Sequence, residues 1–103
     1  MARFMVNWTA NPSAWPTDPK ARVDVIAGTT GGGDHLVSTG AIVEMGWFSA
    51  QEGYAIFEAD SKASVLGMVQ GFFPYFTPDV REVVPWQDGA KAILESARQA
   101  AAR

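Results

Sequence analysis

The sequence predicts an α+β domain: a four-stranded antiparallel sheet with two helices on one face and a further helix at the C-terminus. Two observations lead there. Four short runs rich in apolar residues read as strands, and longer segments between them carry apolar residues at helical spacing. Their order is strand, helix, strand, strand, helix, strand, then the last helix, which is the βαββαβ or split βαβ arrangement. At 103 residues the chain forms one domain, residues 1–103, without repeat or linker.

Phe4 to Trp8 starts the first strand, with Phe4, Val6 and Trp8 on one face and Met5 and Asn7 on the other. Asn11 to Pro16 is a loop that two prolines hold extended. Asp18 is the expected N-cap of the first helix and Pro19 its first residue. That helix is expected from about 18 to 38, closed by Gly40 and interrupted across Gly28–Gly33, because each glycine costs about 1 kcal/mol relative to alanine. The glycine cluster does not read as a phosphate loop: no lysine follows it, and the G-x-G-x-x-G spacing after a strand is missing. Small residues that let the helix approach the sheet closely, or leave it mobile, are the simpler account.

Ala41 to Met45 and Tyr54 to Ala59 are the arms of a hairpin around the polar stretch Ser49-Ala50-Gln51-Glu52-Gly53. With residues 49–53 as the loop, Phe48 pairs with Tyr54, Gly46 with Ile56 and Glu44 with Glu58. Asp60 or Ser61 then caps a helix with an apolar face of Val65, Val69, Phe72, Phe73 and Phe76, which Pro74 ends near Phe73. The last strand is read as Val80 to Trp86. Asp88 caps the C-terminal helix of about 88–101, which contains Ile93, Leu94 and Ala97.

Such a ferredoxin-like sheet leaves its second face bare of helices. Phe4, Val6, Trp8, Val43, Met45, Trp47, Ala55 and Phe57 are assigned to the helix side. The other face is assigned Met5, Asn7, Ile42, Glu44, Phe48, Tyr54, Ile56, Glu58, Val80, Glu82, Val84 and Trp86. This second face is too apolar for water and too polar for an ordinary core, so it is expected to bury itself against a second copy around a partly polar cavity.

Composition excludes several classes of function. A net charge of −3 and a pI near 4.9 provide no basic footprint for nucleic acid or an anionic membrane. No apolar run approaches the ~20 residues of a membrane span, and the N-terminus turns polar too soon for a secretory signal. The absence of cysteine excludes disulfides and thiolate metal sites. A cytoplasmic protein is expected, without a nucleic-acid or membrane partner.

The opening Arg3-Phe4-Met5-Val6-Asn7-Trp8, the central Gly46-Trp47-Phe48-Ser49 and the run Tyr54 to Ser61 resemble a small, functionally uncharacterised bacterial family of the dimeric α/β-barrel superfamily. The resemblance covers roughly residues 3 to 86 and rests on structural signatures rather than a catalytic motif. It implies two ferredoxin-like subunits packed sheet against sheet. The superfamily includes cofactor-free monooxygenases, muconolactone-type isomerases, haem-handling enzymes and non-catalytic effector-binding domains. Relatives often carry histidine after the Gly-Trp pair, where this chain has Phe48, so one acid–base group of the family is missing.

Glu44 and Glu58 are the candidate catalytic residues. Opposed carboxylates in a partly dry cavity do not both ionise cheaply, so one should hold its proton above the free value of about 4.3 and form an acid–base couple. Alternatively one of them reaches solvent at the rim, or Arg3 or Arg81 neutralises it. Asn7, Phe48, Tyr54 and Trp86 are the candidate substrate-binding residues. Asn7 and Tyr54 can hydrogen-bond a ligand, or can satisfy backbone and fill space. The tryptophans read first as core and dimer anchors, and second as walls for an aromatic ligand. His35, alone and without cysteine, makes no zinc site of ordinary type, and no metal or cofactor is expected. The expectation is a homodimer that binds a small apolar or aromatic metabolite, with cofactor-free isomerase or monooxygenase chemistry. A non-catalytic ligand-binding or dimerisation module with the same cavity is the alternative.

Overall fold

A computed structural model describes residues 1–103. The strands are β1 (Ala2–Ala10), β2 (Ile42–Trp47), β3 (Glu52–Ala59) and β4 (Phe76–Val83), and the helices are α1 (Pro19–Ser38), α2 (Lys62–Val69) and α3 (Trp86–Ala101). All neighbouring strands are antiparallel, in the order β2-β3-β1-β4. The protein is therefore α+β with a four-stranded antiparallel sheet and three helices, compatible with a ferredoxin-like arrangement. No helix is long and apolar enough to cross a membrane.

The core lies between the sheet and the helices. Phe4 and Val6 of β1, Ala55, Phe57 and Ala59 of β3, and Val80 of β4 are buried there with Val65 and Val69 of α2. Ser61 is the N-cap of α2, its hydroxyl accepting from the Ser64 N–H at 3.1 Å. The helix stops at Val69, earlier than Pro74 alone would require, and passes into a 3-10 turn over Gln70–Phe72. Of its expected face, Val65, Val69 and Phe76 are buried, whereas Phe73 is exposed and Phe76 belongs to β4.

Two strands depart from simple alternation. The register of β2 against β3 shifts between Ile42, which faces Phe57, and Glu44, which faces Ile56. One extra residue, Val43, is accommodated in a bulge. Ile42 thus joins Met45 and Trp47 on the helix side and is buried, while Val43, assigned to that side from the sequence, is exposed. The last strand begins at Phe76 rather than Val80, because β4 is an edge strand and an edge tolerates Pro78. Val80 faces Val6 and Glu82 faces Phe4, so both share the helix side rather than the outer face assigned above. Trp86 opens α3 instead of closing a strand. The N-cap of α3 is Pro85, and Asp88 lies in the first turn, where its charge suits the helix dipole.

The interruption expected in α1 does not occur: its 20 residues form one helix. Asp18 caps it by accepting the Ala21 N–H at 2.9 Å, and Gly40 takes the positive φ of 82° that a helix terminus favours. The glycines act as spacers. A Cβ at Gly33 would meet the Met45 methyl at 3.6 Å, and one at Gly32 the Phe72 ring at 3.4 Å. Helix α1 therefore approaches the sheet and the turn after α2 closely at these two residues.

Helix α3 has no buried residue. The radius of gyration is 17.8 Å and the longest dimension 65 Å, whereas a compact domain of this length has a radius of about 13 Å. The sheet and the first two helices make the packed body, and α3 extends from it.

Candidate functional site

On the outer face the hairpin brings three of the predicted residues together. Tyr54 faces Gly46 across the strands, and its ring lies so close that a Cβ on Gly46 would be 2.9 Å from Cε1. The missing side chain lets the ring lie along β2, where the Tyr54 hydroxyl donates to Glu44 Oε2 at 2.7 Å. Phe48 stacks on Tyr54, with ring centroids 5.4 Å apart and planes 20° from parallel. Asn7 is on the same face, opposite Tyr54 on one neighbour and Asp79 on the other.

The expected pairing of Glu44 with Glu58 is not present. Phe48 and Ser49 N–H both donate to the Glu52 carbonyl, at 2.8 and 3.2 Å, and β3 starts at Glu52. The loop is residues 48–51, not 49–53. That moves the register by two residues, which keeps each side chain on its face but changes its partner. Glu44 faces Ile56, and Glu58 faces Arg3, to which it is ion-paired at 2.6 Å. Arginine neutralisation, the alternative weighed for this pair, is thus the arrangement at Glu58. Trp86, on α3, is not part of the outer face and is 83% exposed.

The Tyr54–Glu44 contact has a spectroscopic consequence. The hydrogen bond to the Glu44 carboxylate, followed by desolvation and the carboxylate charge, raises the Tyr54 pKa above the ordinary tyrosine value. Because the protonated hydroxyl is the favoured form, its stabilising contribution is complete below the unfolded pKa and is lost as pH rises through the folded one. The change therefore falls in the alkaline range, at pH about 10 and above. In a tyrosinate absorbance titration, Glu44→Gln is expected to return this ionisation toward its ordinary value, and Tyr54→Phe to remove it. Coincident curves for the unaltered protein and Glu44→Gln would show that the contact does not hold in solution.

The opposite, helix-side face contains a cavity of about 260 Å³ between α1, the turn after α2 and the sheet. Its aromatic wall is built around Gly53. In register, Trp8 of β1 and Trp47 of β2 flank Gly53 of β3, and a Cβ there would collide with the Trp8 ring and the Gly46 carbonyl. The empty position lets the two indoles meet edge to face at 4.8 Å, and Phe76 meets Trp8 in the same manner at 5.2 Å. Met45, Phe72 and Pro78 extend the apolar lining, while α1 contributes Thr29, Thr30 and Asp34. Both threonine hydroxyls donate to the Ile26 carbonyl, at 3.2 and 2.7 Å, so their lone pairs remain as acceptors. Asp34 is the one carboxylate of the lining.

Sequence reasoning missed this cavity as a site. Trp8 and Trp47 are far apart in sequence, and the glycine that unites them reads as the end of a polar loop. The only signal was a pair of tryptophans on strands that alternate toward the helix side. His35 is exposed on α1, where its backbone carbonyl accepts from the Ser38 hydroxyl at 2.6 Å. A scan against models of known protein families finds none that matches this chain, and a search of curated proteins finds no match either.

Proposed function

We propose that this protein binds a flat, apolar or aromatic small molecule in the cavity beneath α1, and that it does so as a homodimer. The observation that carries the binding proposal is the cavity of about 260 Å³ walled by Trp8, Trp47, Phe72 and Phe76. That volume lies between the roughly 150 Å³ that accommodates benzene and the roughly 300 Å³ at which drug-sized pockets begin, so one ring or two fused rings fit. The indole edges and faces suit an aromatic ligand. The acceptor set of Thr29, Thr30 and Asp34 favours a ligand bearing a hydroxyl or amino group at its rim.

A binding role fits this lining better than catalysis. The hydroxyls of Thr29 and Thr30 are committed to the helix as donors, and Asp34 has no acid–base partner within the lining. The carboxylates expected to act as an acid–base couple, Glu44 and Glu58, are on the far side of the sheet and have separate partners.

Thermal shift and tryptophan fluorescence with naphthols, quinols and small lactones test the reading. A ligand present at a hundred times its Kd stabilises by about 2.7 kcal/mol, a rise in Tm on the order of 10 °C for a domain of this size. Trp47 is 61% exposed, so Trp47→Ala should leave the fold intact while weakening binding tenfold or more, and the ligand should be recovered unchanged. If no compound moves Tm or fluorescence at millimolar concentration, the binding proposal fails. If one is converted, the protein is an enzyme.

A further inference from the structure

We propose that α3 is a docking arm whose apolar stripe seats on the outer sheet face of a second copy of this chain, each copy covering the other's sheet. At 100° per residue, Trp86, Ala90, Ile93, Leu94 and Ala97 occupy one arc of α3. Asp88, Lys91, Glu95 and Arg98 occupy the opposite arc. Its large residues stand open in their own subunit: Trp86 is 83% exposed, Ile93 72% and Leu94 51%.

The amount of uncovered surface is large enough for an interface. The chain exposes 7211 Å², whereas a compact monomer of 11.1 kDa exposes about 5,700 Å². The excess of about 1,500 Å² is more than the roughly 800 Å² that each partner contributes to a stable interface.

The outer sheet face has the matching character. Met5, Val43, Ile56 and Val83 supply apolar surface on three of its strands and the β2 bulge, and of the charges on this face all but Glu52, at the start of β3, have side-chain partners. Arg3 holds Glu58 at 2.6 Å, Arg81 holds Asp79 at 3.1 Å, and Glu44 accepts from Tyr54. Charges paired in this way are cheaper to cover than free ones. Lengths agree as well. The 16 residues of α3 span about 24 Å at 1.5 Å per residue, close to the roughly 30 Å of the nine-residue β1 at 3.3 Å per residue.

Two unpartnered apolar surfaces on one chain are both satisfied by a two-fold pair, in which each meets its complement on the other copy. Two acids and two bases balance on the polar arc, so it has no excess positive charge to draw α3 to an anionic bilayer. The inference rests on the homodimer proposed above, with helix-on-sheet packing in place of the sheet-on-sheet packing that the family resemblance implies.

The test is light scattering and sedimentation at micromolar concentration, with circular dichroism as the control for folding. The unaltered protein should be a dimer. The pair Ile93→Asp and Leu94→Asp should raise the dissociation constant at least a hundredfold and leave the β-sheet signal intact, since α3 contributes nothing to the buried core. Ile56→Asp should do the same from the other side of the contact. Because the chain has no cysteine, Leu94→Cys and Met5→Cys subunits, mixed and mildly oxidised, should give a disulfide-linked pair. A monomeric unaltered protein would overturn both the arm and the homodimer. A dimer that survives the α3 substitutions but not Ile56→Asp overturns the arm alone. Attachment of an unaltered monomer to anionic vesicles would assign the stripe to lipid and overturn it too.

Discussion

Replacing Gly53 by alanine is expected to destabilise the protein by about 3 kcal/mol or more, the upper end for inserting atoms into a packed interior. The added methyl has nowhere to go. It would overlap the Trp8 ring, standing 2.7 Å from Cε2, and also the Gly46 carbonyl oxygen of the neighbouring strand. A flexible side chain can step aside from one methyl group, but a backbone oxygen held in the β2–β3 ladder cannot. The two indoles would have to separate, and the cavity wall would open with them. Urea unfolding checks the stability change, and the ligand titration checks the wall. A loss under 1 kcal/mol with unchanged binding would show that the Trp8–Gly53–Trp47 arrangement is looser than described.

The second large effect has the opposite sign. Gly28 and Gly31 lie inside a continuous helix, and a Cβ at either would meet nothing within 4 Å. Alanine at each should stabilise by about 0.5–1 kcal/mol, mainly by reducing the freedom of the unfolded chain. The double variant Gly28→Ala/Gly31→Ala should therefore gain on the order of 1–2 kcal/mol. For a domain of this size Tm should rise by roughly 4–8 °C per kcal/mol. Hydrogen exchange across residues 28–33 should slow accordingly, because the glycine-rich turns are the part of α1 with the poorest intrinsic propensity. Unchanged stability in the double variant would mean that α1 is not helical there in solution, which is the interrupted helix that propensity alone predicts.

Both results test the same distinction among glycines. Gly53 and Gly46 are required because an aromatic ring occupies the space beside them, whereas Gly28 and Gly31 face open space. In the sequence all four look alike. Gly53 resembles the end of a polar loop, and Gly28 and Gly31 resemble the centre of a helix break. What distinguishes them is the neighbour supplied by another strand.

The outer face shows how a small register error changes chemistry. Moving the β2–β3 pairing by two residues leaves Glu44, Tyr54, Ile56 and Glu58 on the side expected for them. Yet it replaces a coupled carboxylate pair by a Tyr54–Glu44 hydrogen bond and an Arg3–Glu58 ion pair. Alternation depends only on parity, so the sequence carries it. The identity of the facing residue depends on where the turn closes, and here that is set by the Glu52 carbonyl accepting from Phe48 and Ser49.

The sequence by itself determined the α+β class, the element order, the cap at Asp18, a cap at Asp60 or Ser61, and the helix-side placement of Phe4, Val6, Trp8, Ala55 and Phe57. These features follow from local hydrogen bonding and from periodicity, which act within a few residues. The tertiary structure decided the bulge that turns Ile42 inward and the edge position that lets β4 include Pro78. It also decided the close approach that keeps α1 whole and the meeting of Trp8 with Trp47 over Gly53. Each of these depends on contacts between residues distant in the chain, where packing and exclusion of overlap outweigh the 1 kcal/mol scale of intrinsic propensity.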